Sequence, residues 1–218
     1  MEESKQFEHG DVKPNVIEEP FPAYGVLDLD ELKRYTYADY LTWLDNRRRE
    51  LINGFIYLMS APNLLHARIT DLMWWFMELF VRKKSGNCRI FHAPFDDRLP
   101  IQNESADDQI FNVVQPDVCV ICDLSKLDER GCIGAPDLIV EVLSPSTLKK
   151  DWNYKFNLYE KAGVREYWIV DPIAKAVNAF ILQSDGNYDQ GTIYTRKQSA
   201  PVHIFEGLEI DLQELFEE

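Results

Sequence analysis

Long hydrophobic runs are missing from this sequence. A membrane-spanning helix needs about 18 or more consecutive apolar residues, and the apolar stretches here are short and interrupted by charged residues. The first residues, MEESKQFEHGD, are acidic and polar, so they lack the pattern of a secretory signal. We therefore expect a cytoplasmic protein without a membrane span.

Cysteine is scarce, with residues at positions 88, 119, 122 and 132. Without a secretion signal, we expect all of them to be reduced. Cys119 and Cys122 form a CxxC pair, but no second pair at zinc-ligand spacing follows it, and residues three apart on a strand point to opposite faces. The pattern favours a structural role for the cysteines over a zinc or redox site.

Positive charge is also in short supply. The sequence has 23 Lys and Arg residues against 37 Asp and Glu residues, a net charge of −14, which argues against a simple nucleic-acid-binding protein. Basic clusters nevertheless occur at Arg47-Arg48-Arg49, Arg82-Lys83-Lys84 and Lys149-Lys150. Each is either solvated surface or a contact to a phosphate backbone, and the sequence leaves both open.

The chain is predicted to divide into a tail and one domain. Residues 1–34 are polar, acidic and interrupted by prolines, and residues 1–30 alone contribute −6 of the net charge. We interpret residues 1–34 as an acidic flexible N-terminal tail. Residues 35–218 are long enough for one folded domain with a sizeable core.

Within residues 35–218, helical and strand patterns alternate. Thr36 with Asp39 predicts a capped short helix, Asn53-Gly54 predicts a β-hairpin, and residues 62–84 are typical of a long helix. Strands are predicted within 88–100, 112–123, 131–146, 166–172 and 176–182, with a helix over 146–163 that ends at a left-handed Gly163. The expected fold is α/β, with a mixed β-sheet flanked by helices and an N-terminal β-hairpin and helix.

The segment DLIVEVLSPST, residues 137–147, places Glu141 in the middle of an apolar strand. Positions 137, 139 and 141 share one face, and a buried carboxylate needs a partner or a metal. In the following helix, one face carries Leu148, Trp152, Lys155 and Tyr159. Lys155 can therefore reach Glu141, as a catalytic group or as a structural ion pair. Its stem can also pack on the aromatic residues while the ammonium reaches water.

A second carboxylate, Asp117, follows Pro116 in the preceding strand. Two carboxylates and a lysine suit metal-assisted phosphodiester hydrolysis, because Mg²⁺ prefers oxygen ligands and a lysine stabilises developing negative charge. The carbonyl of Val142 could complete the coordination. Paired carboxylates also act in glycoside hydrolases, but Lys155 and the apolar strand suit phosphate and metal better than a sugar cleft.

The motifs QPD at 115–117 and EVL at 141–143 resemble the PD-(D/E)xK nuclease pattern. Residues 113–172 resemble the Uma family of restriction-endonuclease-like proteins, and RELINGFIYLMSAPNLLHARI, residues 49–69, resembles the N-terminal half of that family. The resemblance implies a restriction-endonuclease-like core that cuts DNA with Mg²⁺ or Mn²⁺. Carried over to this sequence, it implies Asp117 and Glu141 as metal ligands and Lys155 as the catalytic lysine.

The sequence departs from the standard nuclease pattern at one position. The lysine normally stands two residues after the acid, where this chain has Leu143, and the Uma-like pattern takes it from the following helix instead, which gives Lys155. Glu50 and His66 could approach the site, but Glu50 can also pair with nearby arginines and His66 can be a packing residue. Asp137 is expected to cap a turn.

The resemblance leaves two further expectations. Because two cuts need two sites, a homodimer fits a nuclease of this type, although no dimer seam is visible in the sequence. The alternative to an active enzyme is a binding module that keeps the nuclease scaffold without catalysis and acts through a protein partner.

Overall fold

The computed structural model describes residues 16–17, 33–84, 86–102, 104, 106–144, 148 and 150–217. The predicted tail, residues 1–34, therefore lies mostly outside the described residues. Within it, Val16–Ile17 forms strand β1, which pairs in parallel with strand β3, Phe55–Leu58. In the part of the chain that is described, no helix combines the length and the apolar character needed to cross a membrane.

The helices have the bounds α1 (Tyr37–Tyr40), α2 (Leu64–Lys84), α3 (Phe156–Ala162) and α4 (Leu212–Leu215), with a 3₁₀ turn at Leu124–Lys126 and a π-helical turn at Lys150–Lys155. The predicted cap of α1 is confirmed, because the Thr36 hydroxyl and the Asp39 carboxylate bond each other's backbone N–H. Helix α2 ends with three basic residues, as predicted. Helix α3 ends at Gly163, whose φ of 87° is the left-handed cap conformation.

A mixed six-stranded sheet, the central sheet, carries the middle of the domain. Its strand order is β13 (Thr192–Thr195), β12 (Ala176–Ile181), β11 (Glu166–Asp171), β10 (Leu138–Val142), β7 (Val118–Ile121) and β4 (Arg89–His92). Strands β10 and β11 are parallel and the other neighbours are antiparallel. The predicted α/β fold with a mixed sheet is confirmed.

A second sheet contains the hairpin predicted at Asn53-Gly54. Its strand order is β1, β3, β2 (Arg49–Ile52), β6 (Val113–Val114), β5 (Asp97–Arg98), β9 (Gly131–Ile133) and β8 (Leu127–Asp128). Strands β14 (Ser199–Pro201) and β15 (Glu209–Asp211) form a separate pair. The turn of the hairpin has positive φ at Asn53 (53°) and Gly54 (81°), as a tight hairpin turn of this type requires.

Each face of the central sheet buries its own apolar cluster. Helix α2 and the C-terminal segment pack on the face that carries Val140 and Trp168, whereas α3 and part of the second sheet pack on the face that carries Ile139 and Tyr167. All five residues of β10 are buried, as in a central strand. The predicted alternation is confirmed, so Glu141 lies on the α3 side.

The predictions of single strands over residues 88–100, 112–123 and 131–146 are wrong, because each segment contributes one strand to each of the two sheets. Residues 112–123 form β6 in the second sheet and β7 in the central sheet, separated by Gln115–Asp117. Pro116 lies in this break, where its missing N–H removes a ladder hydrogen bond. The break leaves Gln115 and Asp117 at the junction of the two sheets.

The helix predicted over residues 146–163 is not regular. Its described part begins with the π-helical turn and continues as α3, and residues 146, 147 and 149 lie outside the described residues. Leu148 was predicted on the inner face but is half exposed. Bonds in a π-turn join residues five apart, so Lys150 takes the position beside Lys155.

The expectation that all cysteines are reduced is wrong for Cys88 and Cys122. The antiparallel pairing of β4 with β7 places these two residues opposite each other, and they form a disulfide. Cys119 and Cys132 are free and buried. Cys119 and Cys122 pack into different clusters, so the predicted opposite orientation is confirmed.

Asp97 in β5 is a fully buried carboxyl group that is not among the predicted site residues. Neither of its oxygens has a hydrogen-bond partner of standard geometry among the described residues, and the weakly polar Cys119 thiol is a close neighbour. Burial raises the pKa of Asp97 to about 8. The folded protein therefore holds this group protonated at neutral pH.

Asp97→Asn is expected to flatten the pH dependence of stability. Above the unfolded-state pKa of about 4, only the folded state keeps the Asp97 proton, so its contribution to stability falls by up to about 1.4 kcal/mol per pH unit until pH reaches the folded pKa. Urea unfolding at pH 5 and pH 7 measures the free energy of unfolding at each pH. From pH 5 to pH 7, this free energy should fall less in the variant than in the parent protein. Equal losses in both proteins would contradict the assignment.

Candidate active site

Glu141 lies in the buried middle of the central sheet and has two direct partners. Lys155 Nζ is 2.7 Å from Glu141 Oε1, and the Tyr159 hydroxyl donates to the same oxygen at 2.6 Å. Lys155 and Tyr159 are four residues apart, across the start of α3, so both reach the same point of β10. The Lys155 side chain is 2% exposed, which contradicts the interpretation of a lysine whose ammonium reaches water.

Asp117 lies beside Glu141 because β7 runs antiparallel to β10. The Val142 backbone N–H donates to Asp117 Oδ2 at 2.8 Å. This bond joins Asp117 to the residue that directly follows Glu141. His66 reaches the same place from the first turns of α2, with Nε2 at 3.1 Å from Asp117 Oδ2. The predicted approach of His66 to the site is therefore present.

Glu50 binds two ammonium groups at the inner end of the site. Lys155 Nζ is 2.8 Å from Glu50 Oε1, and Lys150 Nζ is 2.8 Å from Glu50 Oε2. The Gln115 backbone N–H also donates to Glu50 Oε1 at 3.0 Å. Because a π-turn aligns residues five apart, this helical segment can present both lysines to one carboxylate. Asp151, which lies between the two lysines in the sequence, is also buried.

The site holds more carboxylates than ammonium groups. Burial, together with the nearby charges of Asp151, Asp117 and Glu50, raises the pKa of Glu141 to about 8, although Lys155 opposes the shift. Burial would also raise the pKa of Glu50, but its two lysine partners outweigh this and lower the pKa to about 2. A site with repelling carboxylates favours added positive charge.

Lys155 and His66 both have pKa values above their ordinary ones. Burial opposes the charge on Lys155, but the carboxylates of Glu141 and Glu50 raise its pKa well above the ordinary value. Burial likewise opposes the charge on His66, and the hydrogen bond and charge of Asp117 raise its pKa overall. Lys155 is therefore a fixed cation at neutral pH.

These groups line a pocket of about 730 Å³ that opens to the surface. The pocket lies where the β2–β3 hairpin, the start of α2, the end of β10 and the π-turn meet. Its ionisable lining residues are Arg48, His66, Asp71, His92, Asp117, Glu141, Lys150, Asp151 and Lys155. A volume of this size is typical of small-ligand and active-site pockets.

The structure brings Asp117, Glu141, Lys155 and His66 into one pocket. Glu50 does not line the pocket, but it contacts Lys155. Asp137 lies elsewhere. Its carboxylate accepts from the Cys122 backbone N–H at 2.8 Å and from Arg165 at 2.9 Å, so it fixes a strand end.

Sequence reasoning missed Lys150, Asp151, Arg48 and Gln115 as lining residues of the pocket. The clusters Lys149-Lys150 and Arg47-Arg48-Arg49 were visible in the sequence. The sequence does not show which residue of a basic cluster is buried and which is solvated. The five-residue spacing of Lys150 and Lys155 was the available signal, and it is informative only if a π-turn is assumed.

The donor set at this site fits Mg²⁺. Among the described residues, no group of three or more His, Cys, Asp and Glu side chains forms a ready-made metal cage. Mg²⁺ rarely uses such a cage, because it is usually held by one or two carboxylates together with water and substrate phosphate. Asp117 and Glu141 carry carboxylate oxygens of that kind in the pocket, and Val142 also lines it.

Comparison with known proteins gives a consistent family and fold. The model of the Uma2 family, described as "Putative restriction endonuclease", matches residues 37–213. A protein of Synechocystis sp. (strain ATCC 27184 / PCC 6803 / Kazusa), "Uncharacterized protein slr1290", is 30% identical over 154 residues, which cover 69% of this chain and 75% of that protein. The resemblance predicted from the sequence motifs is confirmed.

A solved structure shares the fold. It is the crystal structure of "a putative nuclease belonging to DUF820" from Anabaena variabilis ATCC 29413, with a TM-score of 0.66 and 20% sequence identity. The match covers 83% of this chain and 97% of the other. At this level of identity the likeness concerns the fold.

Proposed function

The chain belongs to the Uma2 family, and we propose that it is a Mg²⁺-dependent endonuclease that hydrolyses DNA phosphodiester bonds. Family and fold support a nuclease in general, and the metal, the DNA substrate and the residue roles are our proposal. The observation that carries it is the buried Lys155 ammonium, 2.7 Å from Glu141, with Asp117 bonded to the adjacent Val142.

In this proposal Asp117, Glu141 and the Val142 carbonyl hold Mg²⁺. When bound there, the metal lowers the pKa of a coordinated water and neutralises negative charge on the phosphate. The protein's own contribution is to fix the ligands. Tyr159 holds one oxygen of Glu141 at 2.6 Å, and the Val142 N–H and His66 hold Asp117.

Lys155 supplies the fixed positive charge next to the reacting phosphate. Its ammonium has three donors, and Glu141 and Glu50 occupy two directions. A remaining donor can orient the attacking water or bind a phosphate oxygen as negative charge develops. Glu50 acts as a positioning residue, because it sets the direction of the ammonium through a 2.8 Å contact.

Removal of divalent cations is expected to abolish cleavage of supercoiled plasmid DNA, and added Mg²⁺ or Mn²⁺ should restore it. Without a cation the acidic site repels phosphate, so the metal is needed for both binding and chemistry. Gel electrophoresis of plasmid incubated with the protein in EDTA, and then in excess Mg²⁺, measures the effect. Ca²⁺ serves as a comparison metal, because its distances to oxygen ligands are longer and its geometry is less regular than those of Mg²⁺.

Plasmid that stays intact under every divalent condition would contradict the endonuclease proposal. A protein that still bound a partner under those conditions would then fit the binding-module alternative. Cleavage that persists in EDTA would contradict the metal dependence alone. The homodimer and the cytoplasmic location stay predictions.

A further inference from the structure

Strand alternation separates the three consecutive arginines before Glu50. Arg49 turns away from the pocket, pairs with Asp45 and stacks over the Trp43 ring at 4.7 Å. Arg48 is two residues before Glu50 and so shares its face. The Arg48 carbonyl accepts from the Met59 N–H at 3.0 Å, which fixes its backbone at the base of the hairpin. Arg48 is therefore the member of the cluster that lines the pocket.

The Arg48 guanidinium is held by a neutral group. Its Nε and Nη2 atoms donate to Gln115 Oε1 at 3.0 and 2.9 Å. Gln115 is itself fixed, because its side-chain amide donates to Asp96 at 2.8 Å and to the Tyr40 hydroxyl at 3.2 Å. Three of the five guanidinium N–H donors remain for another partner.

Arg48 also differs from the arginines that form ion pairs with a carboxylate. Those arginines are Arg49, Arg82, Arg98, Arg130 and Arg165, each with an aspartate or glutamate partner. Across the described residues, no carboxylate forms such a pair with Arg48. The charge of Arg48 acts on Asp96, but it is not taken up by a direct ion pair.

The pocket continues outward from Arg48. A smaller cavity of about 360 Å³ adjoins it and shares Arg48 and Leu58–Pro62 with it. Its remaining lining residues are Asn46 and Arg47. A groove therefore leads from the catalytic groups past Arg48 to the exposed Asn46–Arg47 segment.

We propose that Arg48 binds the DNA phosphate adjacent to the scissile one, so that the strand leaves the pocket across residues 46–48. This inference rests on the proposed function. Arg48 is two residues from Glu50, roughly 6.6 Å along an extended chain, and Glu50 contacts Lys155. Arg48 and Lys155 line the same pocket, and the planar guanidinium of Arg48 suits phosphate oxygens.

DNA binding by Arg48→Gln tests the proposal. Fluorescence anisotropy with a short labelled DNA duplex, with Ca²⁺ in place of Mg²⁺, gives the affinity over a series of salt concentrations. We expect the affinity to fall roughly ten- to hundredfold and the slope of log K against log salt to shrink by about 0.9, one phosphate contact. In cleavage assays with Mg²⁺, KM should rise while kcat changes little.

Two further variants make the result specific. Arg48→Lys keeps the charge without the planar fork, so it should keep the salt slope while losing part of the affinity. Arg82→Ala removes an arginine that is paired with Glu78 at the far end of α2 and should match the parent protein in both affinity and slope. Thermal melts followed by circular dichroism check folding, and glutamine at position 48 can still bond Gln115.

The outcomes separate this inference from the proposed function. A parent protein that cleaves DNA, with an Arg48→Gln variant of unchanged affinity and salt slope, would overturn the role of Arg48 and leave the nuclease standing. An unchanged affinity with a large fall in kcat would also overturn it, because Arg48 would then act in the chemical step. A parent protein that neither binds nor cleaves DNA would overturn both.

Discussion

Asp117→Asn is expected to abolish plasmid cleavage, while Asp137→Asn leaves the rate nearly unchanged. Both aspartates follow a proline and precede an apolar strand, so their local sequences are closely similar. The structure separates them, because Asp117 lines the pocket whereas Asp137 bonds Arg165 and a backbone N–H outside it. The pair is therefore a matched test of the site.

The size of the effect follows from the proposed role of Asp117. A metal that polarises the phosphate and activates water contributes several kcal/mol to transition-state stabilisation, so loss of a charged ligand should lower kcat/KM by roughly a thousandfold or more. Asparagine keeps the size of the side chain and an oxygen that can accept the Val142 N–H. The fold should therefore survive, and circular dichroism would check this.

The measurement compares initial cleavage rates of the two variants and the parent protein in Mg²⁺. Isothermal titration calorimetry with Mn²⁺ adds a readout that does not depend on activity, since Asp117→Asn should weaken metal binding and Asp137→Asn should not. Equal rates for the parent protein and Asp117→Asn would remove Asp117 from the catalytic site. A similar loss in both variants would indicate a general effect on the fold instead.

Local sequence signals predicted most of the framework around the site. The capping pair Thr36 and Asp39, the Asn53-Gly54 turn and the alternation along β10 each depend on residues a few positions apart, and the structure has all three. The inward direction of Lys155 was also predicted, because the residue interrupts an aromatic stripe. Such features are specified by short-range geometry.

Features that depend on distant parts of the chain were not predictable in the same way. Glu50 lies 100 residues from Lys150 and pairs with it, and no local pattern encodes that contact. The break at Pro116 divides one apolar segment between two sheets. The hydrophobic pattern alone predicts one continuous strand there. The π-turn changes which residues face inward, since periodicity arguments assume 3.6 residues per turn.

The second large effect is expected for Lys155→Met, which should lose both activity and stability. Lys155 contacts Glu141 and Glu50 in a fully buried position, and removal of one partner leaves buried negative charge without compensation. That change costs about 3–5 kcal/mol of unfolding free energy. Loss of a donor aimed at developing charge costs a further roughly hundred- to thousandfold in kcat.

Lys150→Met is the matched control for this prediction. Lys150 is also buried in the site and also binds Glu50 at 2.8 Å, but Glu141 is not its partner. If Lys155 acts only through a structural ion pair, the two variants should lose activity in proportion to the stability that each loses. If Lys155 acts on the phosphate or the attacking water, Lys155→Met should be far less active than Lys150→Met at equal folded fraction.

Urea unfolding and cleavage rates, measured at a temperature where both variants are folded, distinguish these cases. We expect Lys150→Met to keep cleavage within roughly tenfold of the parent protein, because Glu50 still binds Lys155 and keeps its ammonium directed at Glu141. A Lys155→Met variant that is folded and cleaves as fast as Lys150→Met would reduce Lys155 to a structural residue. The carboxylates and the metal would then have to account for the whole rate.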